Sequence, residues 1–91
     1  MGFYIEVPND RGKAQQLADL YGATTTQPTT FEDVPEGQAL LCIVDNGPFE
    51  AVALCYDADE FADFNDPEDQ RPRQWMLMNQ AKAHELSGYT G

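Results

Sequence analysis

Between Ala14 and Gln70 the sequence has no lysine and no arginine, while thirteen aspartates and glutamates fall in that stretch. Such a surface repels nucleic acid and anionic membrane, because both need cations opposite their phosphates. Histidine is almost as scarce. His84 is alone, and no Cys-x-x-Cys or His-x-x-x-His spacing accompanies it, so zinc has no ligand set. The two cysteines, Cys42 and Cys55, are too few for a disulfide scaffold. The longest apolar runs, Ala39–Val44 and Ala51–Tyr56, are far short of the roughly 20 residues of a spanning helix. Gly12, Gly22, Gly37, Gly47 and Gly88 are dispersed, which leaves no phosphate-cradling loop. The first residues lack a basic region, Glu6 and Asp10 interrupt any apolar segment, and Glu6 stands where a myristoylation motif wants Ser or Thr. The expected location is therefore cytoplasmic.

What is present fits one domain over residues 1–91. An apolar share of 42% suits a globular chain rather than a disordered one, and five Phe, four Tyr and one Trp supply bulky core material. The net charge of −11 is unevenly spread. Residues 1–13 balance Glu6 and Asp10 against Arg11 and Lys13, whereas residues 71–91 set Arg71, Arg73 and Lys82 against Glu85 alone. A long acidic block is thus closed by a mildly basic tail. That surface attracts basic proteins. The plainer alternative is that the charge keeps a small protein soluble.

Phe3–Val7 reads as a strand ended by Pro8. Asn9 or Asp10 is placed to cap a helix running to about Tyr21, with Ala14, Leu17, Ala18 and Tyr21 on one face and Gly22 at a left-handed stop. Residues 23–38 form a long, threonine-rich connection, of the kind that is functional or hides a short element, with Phe31 and Val34 as its anchors. Ala39–Asp45 and Glu50–Tyr56 are two strands around Asn46-Gly47-Pro48-Phe49. Pro48 has no N–H to close an Asn-Gly turn, so the spacing predicts a longer loop with Asp45 opposite Glu50. In that register Cys42 faces Ala53 and lies diagonal to Cys55, a separation of roughly 7–8 Å that is too long for a disulfide. Leu40, Cys42, Val44, Ala51, Ala53 and Cys55 share one face, and Leu41, Ile43, Val52, Leu54 and Tyr56 the other. Both faces are apolar, so both must be covered.

Asp57 and Glu60 have capping-box spacing before a short helix with Phe61 and Phe64 on one side, ended by Asn65-Asp66-Pro67. Gln74–Met78 reads as a buried strand and Asn79 as the cap of a helix from about Gln80 to Ser87; the rival is one helix from Arg73 to Ser87. The order β-α-β-β-α-β-α predicts an α+β fold, a ferredoxin-like antiparallel sheet with helices on one face and an extra C-terminal helix. The small-residue face of the hairpin then needs a cover, supplied by the C-terminal helix or by a second copy of the chain.

A calcium loop starting at Asp57 would put Glu68 at its twelfth position, but Phe61 and Ala62 occupy positions that need a ligand and a glycine. The opening Phe3–Gly22, with Val7-Pro8, Asn9-Asp10, Lys13-Ala14 and Tyr21-Gly22, resembles the first βα unit of glyoxalase/bleomycin-resistance modules. It covers under a quarter of the chain, and the metal ligands of those modules are absent, so it is read as a shared βα solution and not as membership. No catalytic residue, cofactor or metal is expected.

The expected function is therefore a non-enzymatic binding module. Its acidic face, carried by Glu32, Asp33, Glu36, Asp57, Asp59, Glu60, Asp63, Asp66, Glu68 and Asp69, engages a basic protein surface. Its sharpest form is a nucleic-acid mimic inhibitor. Arg71, Arg73 and Trp75 concentrate residue types found at binding hot spots, or else neutralise the acids and fill the core. The alternatives are a small-molecule pocket lined by Tyr4, Tyr21, Phe31 and Trp75, and a homodimeric assembly subunit.

Overall fold

In the computed structural model, which describes residues 3–27 and 30–88, the strand β1 (Phe3–Pro8) leads into helix α1 (Lys13–Leu20). Ala14 and Ala18 are buried and Leu17 and Tyr21 half-buried, as the helical spacing requires. The helix ends in a Schellman motif. Gly22 adopts φ 80°, its N–H donates to Asp19, and the Ala23 N–H donates to Ala18. The start differs from expectation. Gly12, left-handed at φ 73°, occupies the N-cap without a side-chain bond. Asn9 is occupied elsewhere: its Nδ2 donates to Asp45 Oδ1 at 3.2 Å and to the Gly47 carbonyl at 3.1 Å.

The threonine-rich connection does hide structure. Thr24–Thr26 form a short strand, β2, and Phe31–Asp33 a 3₁₀ turn. Strands β3 (Gln38–Asn46) and β4 (Phe49–Cys55) follow, with Asp45 opposite Glu50 and Cys42 opposite Ala53. The loop is shorter than expected. Asn46 pairs with Phe49, so Gly47-Pro48 are the two central residues, with Gly47 at φ 76°. In this turn the proline is asked for no N–H, which removes the objection to a tight hairpin.

Helix α2 (Ala58–Phe64) is capped by Asp57, whose carboxylate accepts from the Glu60 N–H at 2.9 Å. Strand β5 (Arg73–Asn79) and helix α3 (Gln80–Ser87) complete the chain, and Asn79 Oδ1 accepts from the Ala81 N–H.

All pairings are antiparallel, in the order β1-β4-β3-β5-β2. The α+β class stands, but this is not the ferredoxin-like order. The fourth long strand, β5, adds beside β3 instead of β1. The composition explains why. Residues 39–44 of β3 are all buried, so the strand needs a neighbour on each side; β1, with exposed Glu6 and with Pro8, tolerates an edge.

The helices are divided differently as well. α1 and α3 cover Leu41, Ile43, Val52, Leu54, Met76 and Met78. The small-residue face, with Cys42, Ala53 and Cys55, lies beneath α2 and the 3₁₀ turn through Phe31, Val34, Phe61 and Phe64. The second helix therefore supplies the cover expected of the third helix or of a second copy. Among the described residues, no helix is long and apolar enough to cross a membrane.

Candidate partner-binding face

The two acidic segments, remote in sequence, belong to elements that share one side of the sheet. The rings of Phe31 and Phe61 are 6.3 Å apart, and Phe61 in turn packs against Trp75 at 5.1 Å. These aromatic contacts seat the 3₁₀ turn and α2 together over Leu40 and Cys55. Glu32 and Asp33 are exposed on that turn, and Glu36 is exposed on the way into β3. Asp33 Oδ2 accepts from the Thr30 hydroxyl. Asp57, Asp59 and Asp63 are exposed on or beside α2, followed by exposed Asp66 and Glu68. Asp59 and Asp63 stand four apart, so they are neighbours on the outer surface of the helix.

Two of the ten acidic candidates play other parts. Glu60 is 7% exposed, and its Oε1 accepts from the Tyr56 N–H at 2.8 Å. The capping geometry turns this carboxylate back over the helix start and away from solvent. Asp69 is neutralised locally. Arg71 Nε and Nη2 grip its two oxygens at 3.0 and 2.7 Å, and Arg73 Nη2 stands 3.4 Å away. The Arg71 side chain and backbone donors hold the Asp69 carboxyl well below the usual carboxylate range.

Arg73 is more enclosed than Arg71, at 15% against 47% side-chain exposure. Its guanidinium donates to the carbonyls of Phe64 and Asp69, tying the end of α2 and the following turn to β5. Trp75 is half-buried against Phe61. These contacts give all three hot-spot candidates an intramolecular task.

The residues expected to line a small-molecule pocket are not brought together. Tyr21 packs with α1 on one face of the sheet, whereas Phe31 and Trp75 lie on the other; the side chain of Tyr4 is outside the described residues. Among the described residues, the concavity between Ile43, Asp45, Glu50 and Pro72–Gln74 is an open groove of about 240 Å³.

Cys42 and Cys55 are fully buried free thiols, and desolvation pushes both up to about 12. Thiols held neutral in this way are poor nucleophiles. His84 stacks on Tyr56 with ring centroids 5.1 Å apart. Residues 58–64 are helical, which removes the loop geometry of a calcium site. Among the described residues, no group of three or more His, Cys, Asp or Glu is arranged to hold a metal ion.

Sequence reasoning missed Asn46. Its Oδ1 accepts from Arg71 Nη1 at 3.1 Å, linking the hairpin tip to the segment after α2. Only the Asn-Gly dipeptide marked the position, and that dipeptide also reads as plain turn chemistry. Comparison of the chain with protein-family models, with curated proteins and with solved structures returned no match.

Proposed function

We propose that this chain is a non-enzymatic cytoplasmic binding module that docks its α2 and 3₁₀-turn face onto a basic surface of another protein. The observation that carries the reading is the shared placement of Glu32, Asp33, Asp57, Asp59 and Asp63 on elements joined by Phe31 and Phe61, in a chain with no cation between Ala14 and Gln70. The two arginines that follow are engaged with Asp69 and with backbone carbonyls. The like-charged pair Asp59 and Asp63 opposes folding by about 0.2–0.5 kcal/mol. A cationic partner relieves that repulsion. In its sharpest form the partner surface is a groove that otherwise holds nucleic acid, and the carboxylates take the place of phosphates.

The test uses a partner retained by the immobilised protein at low salt. Its affinity is measured across a salt series, against the Asp59→Asn/Asp63→Asn/Glu68→Gln variant, and with duplex DNA or RNA as competitor. The reading requires affinity that falls steeply with salt and a marked loss in the variant. Equal affinity at low and high salt would discard the acidic face. Salt-dependent binding that nucleic acid fails to displace would discard the mimic form alone.

A further inference from the structure

We infer that Asn46 is a built-in self-modification site, at which the hairpin turn converts the asparagine amide to a carboxylate through attack by its own backbone. The turn assembles three elements of that reaction. The nucleophile is the Gly47 nitrogen, which belongs to a residue with no Cβ and with nothing within 4 Å of where one would stand. Its N–H donates to Asp45 Oδ1 at 3.2 Å, so a carboxylate is already aligned with the proton that must leave. The electrophile is the Asn46 side-chain carbonyl, whose Oδ1 accepts from Arg71 Nη1 at 3.1 Å. A guanidinium there stabilises the negative charge that develops on oxygen during attack.

The chemistry balances without an added reagent except water. The Gly47 nitrogen bonds to the Asn46 side-chain carbonyl carbon and gives up its proton toward Asp45. The tetrahedral centre collapses, the amide C–N bond breaks, and ammonia leaves with a proton to form a five-membered imide. Water then opens the imide at either carbonyl, giving aspartate or isoaspartate. Water has access, since residues 45–49 are exposed and a groove of about 210 Å³ lined by Asn46, Ala51, Phe64 and Arg71 opens beside the amide. The aspartate product makes the chain one unit more negative than −11 and sets a carboxylate against Arg71. The isoaspartate product inserts a methylene into the backbone between strands paired at Asn46 and Phe49.

The test follows the loss of the Asn46 side-chain amide signal by NMR in nitrogen-labelled full-length protein at mildly alkaline pH, folded and in urea. Mass spectrometry identifies the products in the same samples after digestion beside acidic residues. The folded wild type is expected to convert severalfold faster than the unfolded chain. Arg71→Gln is expected to slow the folded protein about tenfold, below the roughly 10²-fold that one donor supplies in a water-excluded active site, and to leave the urea rate unchanged. Asp45→Asn, checked for folding by circular dichroism, is expected to slow the folded rate as well. Conversion no faster folded than unfolded would overturn the inference, and so would wild-type rates in both variants.

Discussion

The ring of Phe31 lies 6.3 Å from that of Phe61, tilted by 48°, and this contact joins a 3₁₀ turn to a helix from a distant part of the sequence. Aromatic pairs in this geometry contribute roughly 0.5–1.5 kcal/mol beyond area burial. Phe31→Ala therefore destabilises the fold by about 1–2 kcal/mol, because the side chain is only half-buried. Its more telling effect is on binding. It alters no charge, yet it frees Glu32 and Asp33 from α2, so partner affinity drops while the salt slope keeps its sign. Calorimetry at two ionic strengths checks both.

Asp63→Lys separates stability from function. Asp63 sits in the last turn of α2, four residues after Asp59, where a cation suits the helix end and a carboxylate does not. Urea denaturation of the variant shows a gain of about 0.5 kcal/mol, and partner binding weakens. A variant that is both more stable and tighter-binding would contradict the proposed docking face.

The two neighbouring arginines differ in consequence. Arg73→Ala strands the Phe64 and Asp69 carbonyls and removes a half-enclosed ion pair. A loss of about 2–3 kcal/mol follows. Arg71→Ala leaves a smaller deficit, since its pair with Asp69 faces solvent. Denaturant midpoints of the two variants rank them directly.

Stability falls at both ends of the pH scale, for opposite reasons. Asp69 is depressed in the fold by its bonds to Arg71, so its contribution is present above the ordinary carboxylate range and is lost as pH falls toward the folded value. Cys42 and Cys55 are raised from 9.0 to about 12 by burial. Their contribution is complete below 9.0 and is lost as pH rises, with a slope approaching about 1.4 kcal/mol per pH unit for each thiol. Urea midpoints from neutral to alkaline pH record that slope, and the C42A/C55A protein shows a flatter one.

Much of this was legible in the residues. The face of α1, the Asp45–Glu50 register, the Asp57 and Asn79 caps and the strand–helix division after Arg73 all follow from spacing and capping chemistry. The assignment of helices to faces did not follow, because β3 and β4 are apolar on both sides and periodicity labels neither. The turn was misread because the proline was put in a donor's place, although Gly47-Pro48 needs no donor there. β2 escaped notice since three threonines show no alternation of apolar and polar residues. Most of the acidic face was visible as a run of one charge, but not that Glu60 turns inward, which depends on the reach of one side chain to the Tyr56 amide.

The strand order has a consequence for behaviour in concentrated solution. An open sheet offers two rims at which a foreign strand can add, and the apolar inner strands would make such growth self-propagating. Here one rim is β1, where Pro8 gives no amide hydrogen and Glu6 sets a carboxylate on an approaching chain. The opposite rim is β2, three threonines long. The arrangement keeps the sticky centre of the sheet out of reach and so guards the chain against fibril growth.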